Sequence, residues 1–158
     1  MRVRARDIPL ILLLLSVGCK TSQESRELDL VYATVTLPQG FKPEWEPGDT
    51  PRGRLVSRDG KIVISFDLGF YAGAYAHPKE KGQVWFRKGV VDAIPYQASL
   101  DRWTSKTGAL EKTLYITFPD LGPANFWSEV ETPTDIDRIT KIILELSPRK
   151  PRKTERKA

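Results

Sequence analysis

The chain has 158 residues, with 25 Lys and Arg, 20 Asp and Glu, one His and one Cys. That length suits a single domain; one Cys excludes an internal disulfide, and one Cys with one His excludes a His/Cys metal site. The net charge of +5 does not mark a nucleic-acid binder, because residues 1–19 carry net +2 and residues 149–158 net +5, leaving −2 between them, whereas such a binder carries its basic patch on the folded surface.

Arg2, Arg4 and Arg6 precede an unbroken apolar run, Leu10 to Leu15, which ends in Ser16-Val17-Gly18-Cys19. A basic start, a short apolar stretch and a small-residue cleavage site describe a secretory signal peptide. A membrane-spanning helix needs about 20 apolar residues; residues 8–18 supply only eleven, with Pro9 near their start. Val17-Gly18-Cys19 resembles the lipobox of bacterial lipoproteins, although Ser16 stands where that pattern usually has Leu. The resemblance covers residues 1–19. It implies removal of a signal peptide, residues 1–18, and acylation of Cys19 by palmitate-like chains. Stable anchoring takes more than one such chain. Residues 19–29 are then a lipidated tether. Lys20 directly after Cys19 resembles the pattern of lipoproteins sent to an outer membrane, where the host has one. The expected location is the cell envelope.

Strand signals dominate residues 30–131. Val31, Ala33, Val35 and Leu37 alternate with Tyr32, Thr34 and Thr36, which reads as a half-buried strand. Residues 42–53 hold three Pro and two Gly and read as a loop. Asp59-Gly60 lies between two strand-like runs, a strong hairpin signal. Beyond it Ile62, Ile64 and Phe66 share one face. Residues 67–82 show no clean periodicity. Val84 to Phe86 and Val90-Val91 read as a hairpin turning at Lys88-Gly89, its second strand extended by residues 93–100. Residues 110–118 and 125–130 read as two further strands. Thr132 is a suitable helix N-cap and Pro133 suits the first helical position. Ile136, Ile139, Ile143 and Leu146 then form one stripe, with Ile142 beside it, up to Pro148.

The predicted class is α+β: a mostly antiparallel sheet of six or seven strands with one C-terminal helix packed on it. The domain is expected over residues 30–147, and the basic, proline-broken residues 148–158 as a disordered tail. The Leu37-Pro38-Gln39-Gly40-Phe41 opening, the Asp59-Gly60 hairpin and the final helix are similar to features of the αβα sandwich of photosystem oxygen-evolving extrinsic proteins and a nuclear-import factor. Each is generic, so no family is assigned to the domain.

Catalytic signatures are sparse. Cys19 is committed if acylated, and it precedes the fold. No GxGxxG, Walker or GxSxG pattern occurs. Asp135 and Asp137 read as helix-dipole partners rather than calcium ligands. No metal or cofactor is expected. Aromatic residues in irregular segments are the remaining signal. Trp45, Phe70, Tyr71 and Tyr75, with the lone His77, are the candidate ligand or partner surface, since aromatics on loops grip sugars, peptides and proteins. The leading expectation is a non-catalytic, lipid-anchored binding module whose partner is an envelope protein or a glycan. The alternatives are a carboxylate-dependent envelope hydrolase and a structural envelope-assembly lipoprotein. The basic tail can meet anionic lipid or other polyanions; no specific nucleic-acid partner is expected.

Overall fold

The computed structural model describes residues 26–29, 33–68, 73–79 and 81–150. Cys19, the signal segment, Phe70, Tyr71 and residues 151–158 lie outside the described residues. The fold is α+β, as the hydrophobic pattern predicts. A short hairpin-like pair, β1 (Arg26–Asp29) and β2 (Thr34–Leu37), stands apart from a seven-stranded antiparallel sheet. That sheet comprises β3 (Phe41–Glu46), β4 (Arg52–Ser57), β5 (Val63–Leu68), β6 (Gln83–Val91), β7 (Ile94–Thr104), β8 (Leu110–Phe118) and β9 (Ala124–Glu129). The spatial order is β3-β4-β5-β9-β8-β7-β6. Two meanders, β3 to β5 and β6 to β9, are thus joined where the last strand pairs with β5. One helix, α1 (Pro133–Glu145), follows.

One face of the sheet is apolar because alternate residues of its central strands are large and apolar. Ile64, Phe66 and Leu68 of β5, Phe126 of β9, and Leu114, Ile116 and Phe118 of β8 are fully buried. The Phe118 and Phe126 rings meet edge to face at 6.1 Å. The α1 stripe covers this face with Ile139, Ile143 and the capping Leu146, and β2 adds Val35 and Leu37. Each such side chain contributes about 1.5–3 kcal/mol by leaving water. The helix starts where its chemistry dictates. The Asp135 N–H donates to the Thr132 hydroxyl at 3.2 Å, and the Thr132 N–H donates back to the Asp135 carboxylate at 2.9 Å. The Thr132 hydroxyl itself donates to the Asp135 carboxylate at 2.7 Å, and this bond first, then that from the Thr132 N–H, holds the Asp135 carboxyl below its ordinary pKa.

Several expectations are corrected. The proline-rich stretch 42–53 is not all loop, for β3 runs through Pro43 and β4 begins at Arg52. Pro43 is tolerated because β3 is an edge strand, where a missing N–H on the open side breaks no ladder. The first hairpin of the second meander does not turn at Lys88-Gly89. Gly89 is mid-strand opposite Tyr96, and the turn is Asp92-Ala93 with φ of 49° and 64°. A Cβ at Gly89 would lie 2.5 Å from the Tyr96 ring; this glycine makes room for a neighbour rather than a turn.

The folded chain also extends past both expected boundaries. Residues 26–29, placed in the tether by the sequence, pair with β2. At the other end Pro148 is buried, and Arg149 exchanges two backbone hydrogen bonds with Thr34, at 2.8 and 2.9 Å. The Arg149 guanidinium also pairs with the Glu27 carboxylate. Neither end was visible as structure: Arg-Glu-Leu-Asp offers one apolar residue, and proline with basic neighbours reads as unpaired chain.

Candidate functional site

Side chains alternate across a strand, so the sheet's second face carries the other half of each strand. Across it the register aligns Asp67, Asn125 and Thr117 in one row, and Ser65, Trp127, Tyr115 and Ser99 in the next. Glu129, Thr113 and Asp101 form a third row, and Glu111 and Trp103 a fourth. This face is polar, yet Asn125, Thr117, Thr113, Ser99 and Asp101 are buried. Residues 73–79 between β5 and β6 cover part of it as an irregular strap.

Polar groups of the sheet receive the strap's backbone. The Asn125 carboxamide oxygen accepts from the Tyr75 N–H at 3.0 Å and from the Thr117 hydroxyl at 2.7 Å. Its NH₂ donates to the Gly73 carbonyl at 2.9 Å. Thr117 in turn accepts from the Ala76 N–H at 2.9 Å. A buried backbone that leaves water must find such partners. The Tyr75 hydroxyl donates to Asp67 at 2.7 Å, and its ring lies 5.3 Å from that of Trp127 and 6.2 Å from that of Tyr115. Partial burial, then the hydrogen bond and negative charge of Asp67, push the Tyr75 hydroxyl pKa up to about 12. At the far end Lys79 pairs with Asp101 and sits 5.0 Å above the Tyr115 ring. The other Asp101 oxygen and the Ser99 hydroxyl are buried with no hydrogen-bond partner among the described residues.

Beside the strap the face is open. A groove of about 1070 Å³ runs over Arg54, Val63, Ser65, Trp127, Tyr115, Thr113 and Trp103, between Glu111 and Glu129, and rounds the end of the sheet toward Lys61, Asp135 and Arg138. Trp103 is 45% exposed and its indole N–H donates to Thr113 at 3.1 Å, which fixes the ring over the groove floor. Arg54, Lys61, Lys112 and Arg138 face Glu111, Glu129, Glu131 and Asp135, so the lining is charge-balanced. A shallower hollow of about 490 Å³ lies between α1 and the Asp92-Ala93 turn.

The residues singled out by sequence do not form one surface. Ser65 and Phe66 are neighbours in β5 and point to opposite faces. Trp45 meets Phe66 edge-on at 5.4 Å, on the helix side, whereas Tyr75 packs on Trp127, the partner of Ser65. Trp45 is half exposed there, and Tyr75 holds the strap down. His77 is exposed on the strap, its Nδ1 2.9 Å from the Ala74 carbonyl. Phe70 and Tyr71 lie outside the described residues, as does Cys19. Sequence reasoning missed Trp103, Tyr115 and Trp127 as a lining; the one available signal was their shared parity on neighbouring strands.

Comparisons with protein-family models, curated proteins and solved structures returned no match. The site is therefore read from its chemistry. Among the described residues no three His, Cys, Asp or Glu side chains gather as metal ligands, and no helix is long and apolar enough to cross a membrane. The groove's means are flat aromatic rings, hydroxyls and paired opposite charges, which suit holding a ligand.

Proposed function

We propose that this chain is an exported, lipid-anchored envelope protein whose domain binds a glycan chain in the groove on the polar face of its sheet. Export and anchoring rest on residues 1–19, with acylated Cys19 as the hook. The binding reading is carried by one observation: Trp103, Tyr115 and Trp127 share an open, charge-balanced groove with Ser65 and Thr113. A saccharide offers an apolar C–H face to an indole ring and hydroxyls to the neighbouring polar groups. Equal numbers of acids and bases disfavour a strongly charged ligand such as a nucleic acid, which draws its affinity from cations.

The test is calorimetric titration of the purified protein with soluble oligosaccharides of N-acetylglucosamine and with cell-wall glycan fragments. Binding is expected, and Trp103→Ala should weaken it by about 2 kcal/mol, the scale of an aromatic anchor, at a temperature where the variant, which loses the indole bond to buried Thr113, is still fully folded. Retained affinity in that variant would move the site elsewhere, and no binding to any glycan would sink the reading.

A second reading has one observation in its favour. Glu111 and Glu129 both line the groove. Thr113 pairs with Glu129, so Glu111 is its diagonal neighbour, at a spacing of roughly 7–8 Å. That is the spacing of their backbone positions; glycoside hydrolysis needs the carboxyl groups themselves about 5–9.5 Å apart across the bond, which two glutamates so placed can reach. Release of reducing ends from the same oligosaccharides, abolished by Glu111→Gln or Glu129→Gln, would favour the hydrolase; binding without turnover discards it.

A further inference from the structure

The seven-stranded sheet ends in two edge strands, β3 and β6, and an edge presents unpaired backbone N–H and C=O groups to which another strand can bond. β3 is blunted. Pro43 has no N–H to offer, and its charges are already matched, Lys42 with Glu44 at 3.4 Å and Glu46 with Arg52 and Arg54 of β4 at 3.8 and 3.7 Å. β6 is longer, at nine residues, and contains no proline. Among the described residues no backbone hydrogen bond reaches residues 84–91 other than those of the β6–β7 pair. Val84 and Val90, toward its two ends, are 51% and 69% exposed. Residues 81–91 hold three cations, Lys81, Arg87 and Lys88, and no acid. Arg87 is on the helix side of the sheet, opposite Ala98, with its guanidinium 4.7 Å above the Trp85 ring. Lys88 is on the groove side, opposite Gln97. Both are exposed.

We propose that the β6 edge is a docking site for an extended acidic segment of another protein, which adds to the sheet as a further strand. Charge selects this occupant. Arg87 and Lys88 lie at the middle of β6, so a second copy pairing antiparallel through the same edge brings the two cations of one copy onto those of the other. Like charges directly opposite destabilise a ladder. β3 of a second copy is acidic, but its acids are paired within the chain and Pro43 interrupts its donors. An incoming strand with two adjacent acids has neither fault. Neighbouring side chains alternate across a strand, so one acid meets Arg87 on the helix side and the next meets Lys88 on the groove side. Apolar residues flanking the acids cover Val84 and Val90. The backbone ladder supplies affinity and the alternate side chains supply selectivity, as in strand addition generally. The site is separate from the groove and does not depend on what the groove holds.

The probe is a capped, fluorescent peptide of sequence Thr-Val-Thr-Glu-Glu-Thr-Thr-Val-Thr, titrated into the full-length protein with anisotropy as the readout and amide exchange to locate it. Saturable binding is expected, with slowed exchange in residues 84–91. Affinity should fall about tenfold when Lys-Lys replaces Glu-Glu, as two favourable cross-strand pairs become two repulsive ones. Arg87→Glu combined with Lys88→Glu should reverse that preference, and the peptide exchange tests the same contact in the unaltered protein. N-methylation of one alternate set of peptide residues should abolish binding and that of the other set should spare it, because only every second N–H of a strand faces its neighbour. Equal affinity for the Glu and Lys peptides would overturn the charge selection and the proposal with it. Undiminished binding of both N-methylated peptides would reduce the contact to attraction of a polyanion and overturn strand addition. Absence of binding by any peptide would also overturn it. So would residues 84–91 already protected in the protein alone, since this chain or a second copy then covers the edge.

Discussion

Asn125 holds three groups with one carboxamide: the Tyr75 N–H, the Thr117 hydroxyl and the Gly73 carbonyl. Removing it strands buried polar atoms, and each costs about 1–3 kcal/mol when left unpaired. Asn125→Ala should therefore lower stability by at least that much. Tyr75 predicts a pH dependence. Its folded-state pKa of about 12 lies above its ordinary value of 10.0, so its contribution to stability is complete below pH 10. From there to about pH 12 the unfolded chain ionises first, and stability falls. Denaturant titrations across that range should show a shallower decline for Tyr75→Phe; an identical decline would remove Tyr75 as its source. Ala93 offers the opposite case. It sits at φ 64° in the tight turn after β6, where a Cβ costs about 1–2 kcal/mol. Ala93→Gly should raise the melting temperature despite the greater freedom of its unfolded chain.

At the scale of elements, the helix start was readable because capping is local: Thr132, Pro133 and Asp135 fall within four residues. Thr132→Ala should cost about 1 kcal/mol. The lowered pKa of Asp135 sets the sign of the acid response. Its contribution is present above about pH 4, the ordinary carboxylate value, and is lost as pH falls through its lower folded value. In Thr132→Ala the wild-type advantage measured at neutral pH should shrink below that point. The strap behaves differently, for it has no periodicity and no regular hydrogen bonding of its own. Its order is lent by β5, β8 and β9 through Asp67, Thr117 and Asn125. Amide exchange at Tyr75 and Ala76 should accelerate in Asn125→Ala while the amides of β8 stay protected; if strap and sheet open together, the strap is not a separate unit.

At the scale of the molecule, the apolar face of the sheet supplies the main driving force, and Phe126 is at its centre between Phe66 and Ile116. Phe126→Ala should cost about 3–5 kcal/mol, visible as a shifted denaturation midpoint. The polar face contributes by fit. Five of its polar side chains are buried, and the strap and the groove divide that face between them.

The α+β class, the Asp59-Gly60 hairpin, β8 and the capped helix followed from sequence alone. Each depends on contacts within a few residues or on an unbroken period of two or 3.6, and such signals survive in one dimension. The groove, the strap's attachments and the pairing of residues 26–29 and Arg149 with β2 did not. Trp103, Tyr115 and Trp127 belong to three strands whose alignment is set only by pairing, and Asn125 meets Gly73 across 52 positions of chain. Trp45 and Tyr75 both read as loop aromatics; the alternation of β5 alone sends them to opposite faces. Local chemistry decided which elements form. Register and packing, which arise only when distant segments meet, decided which side chains share a surface and which way that surface opens.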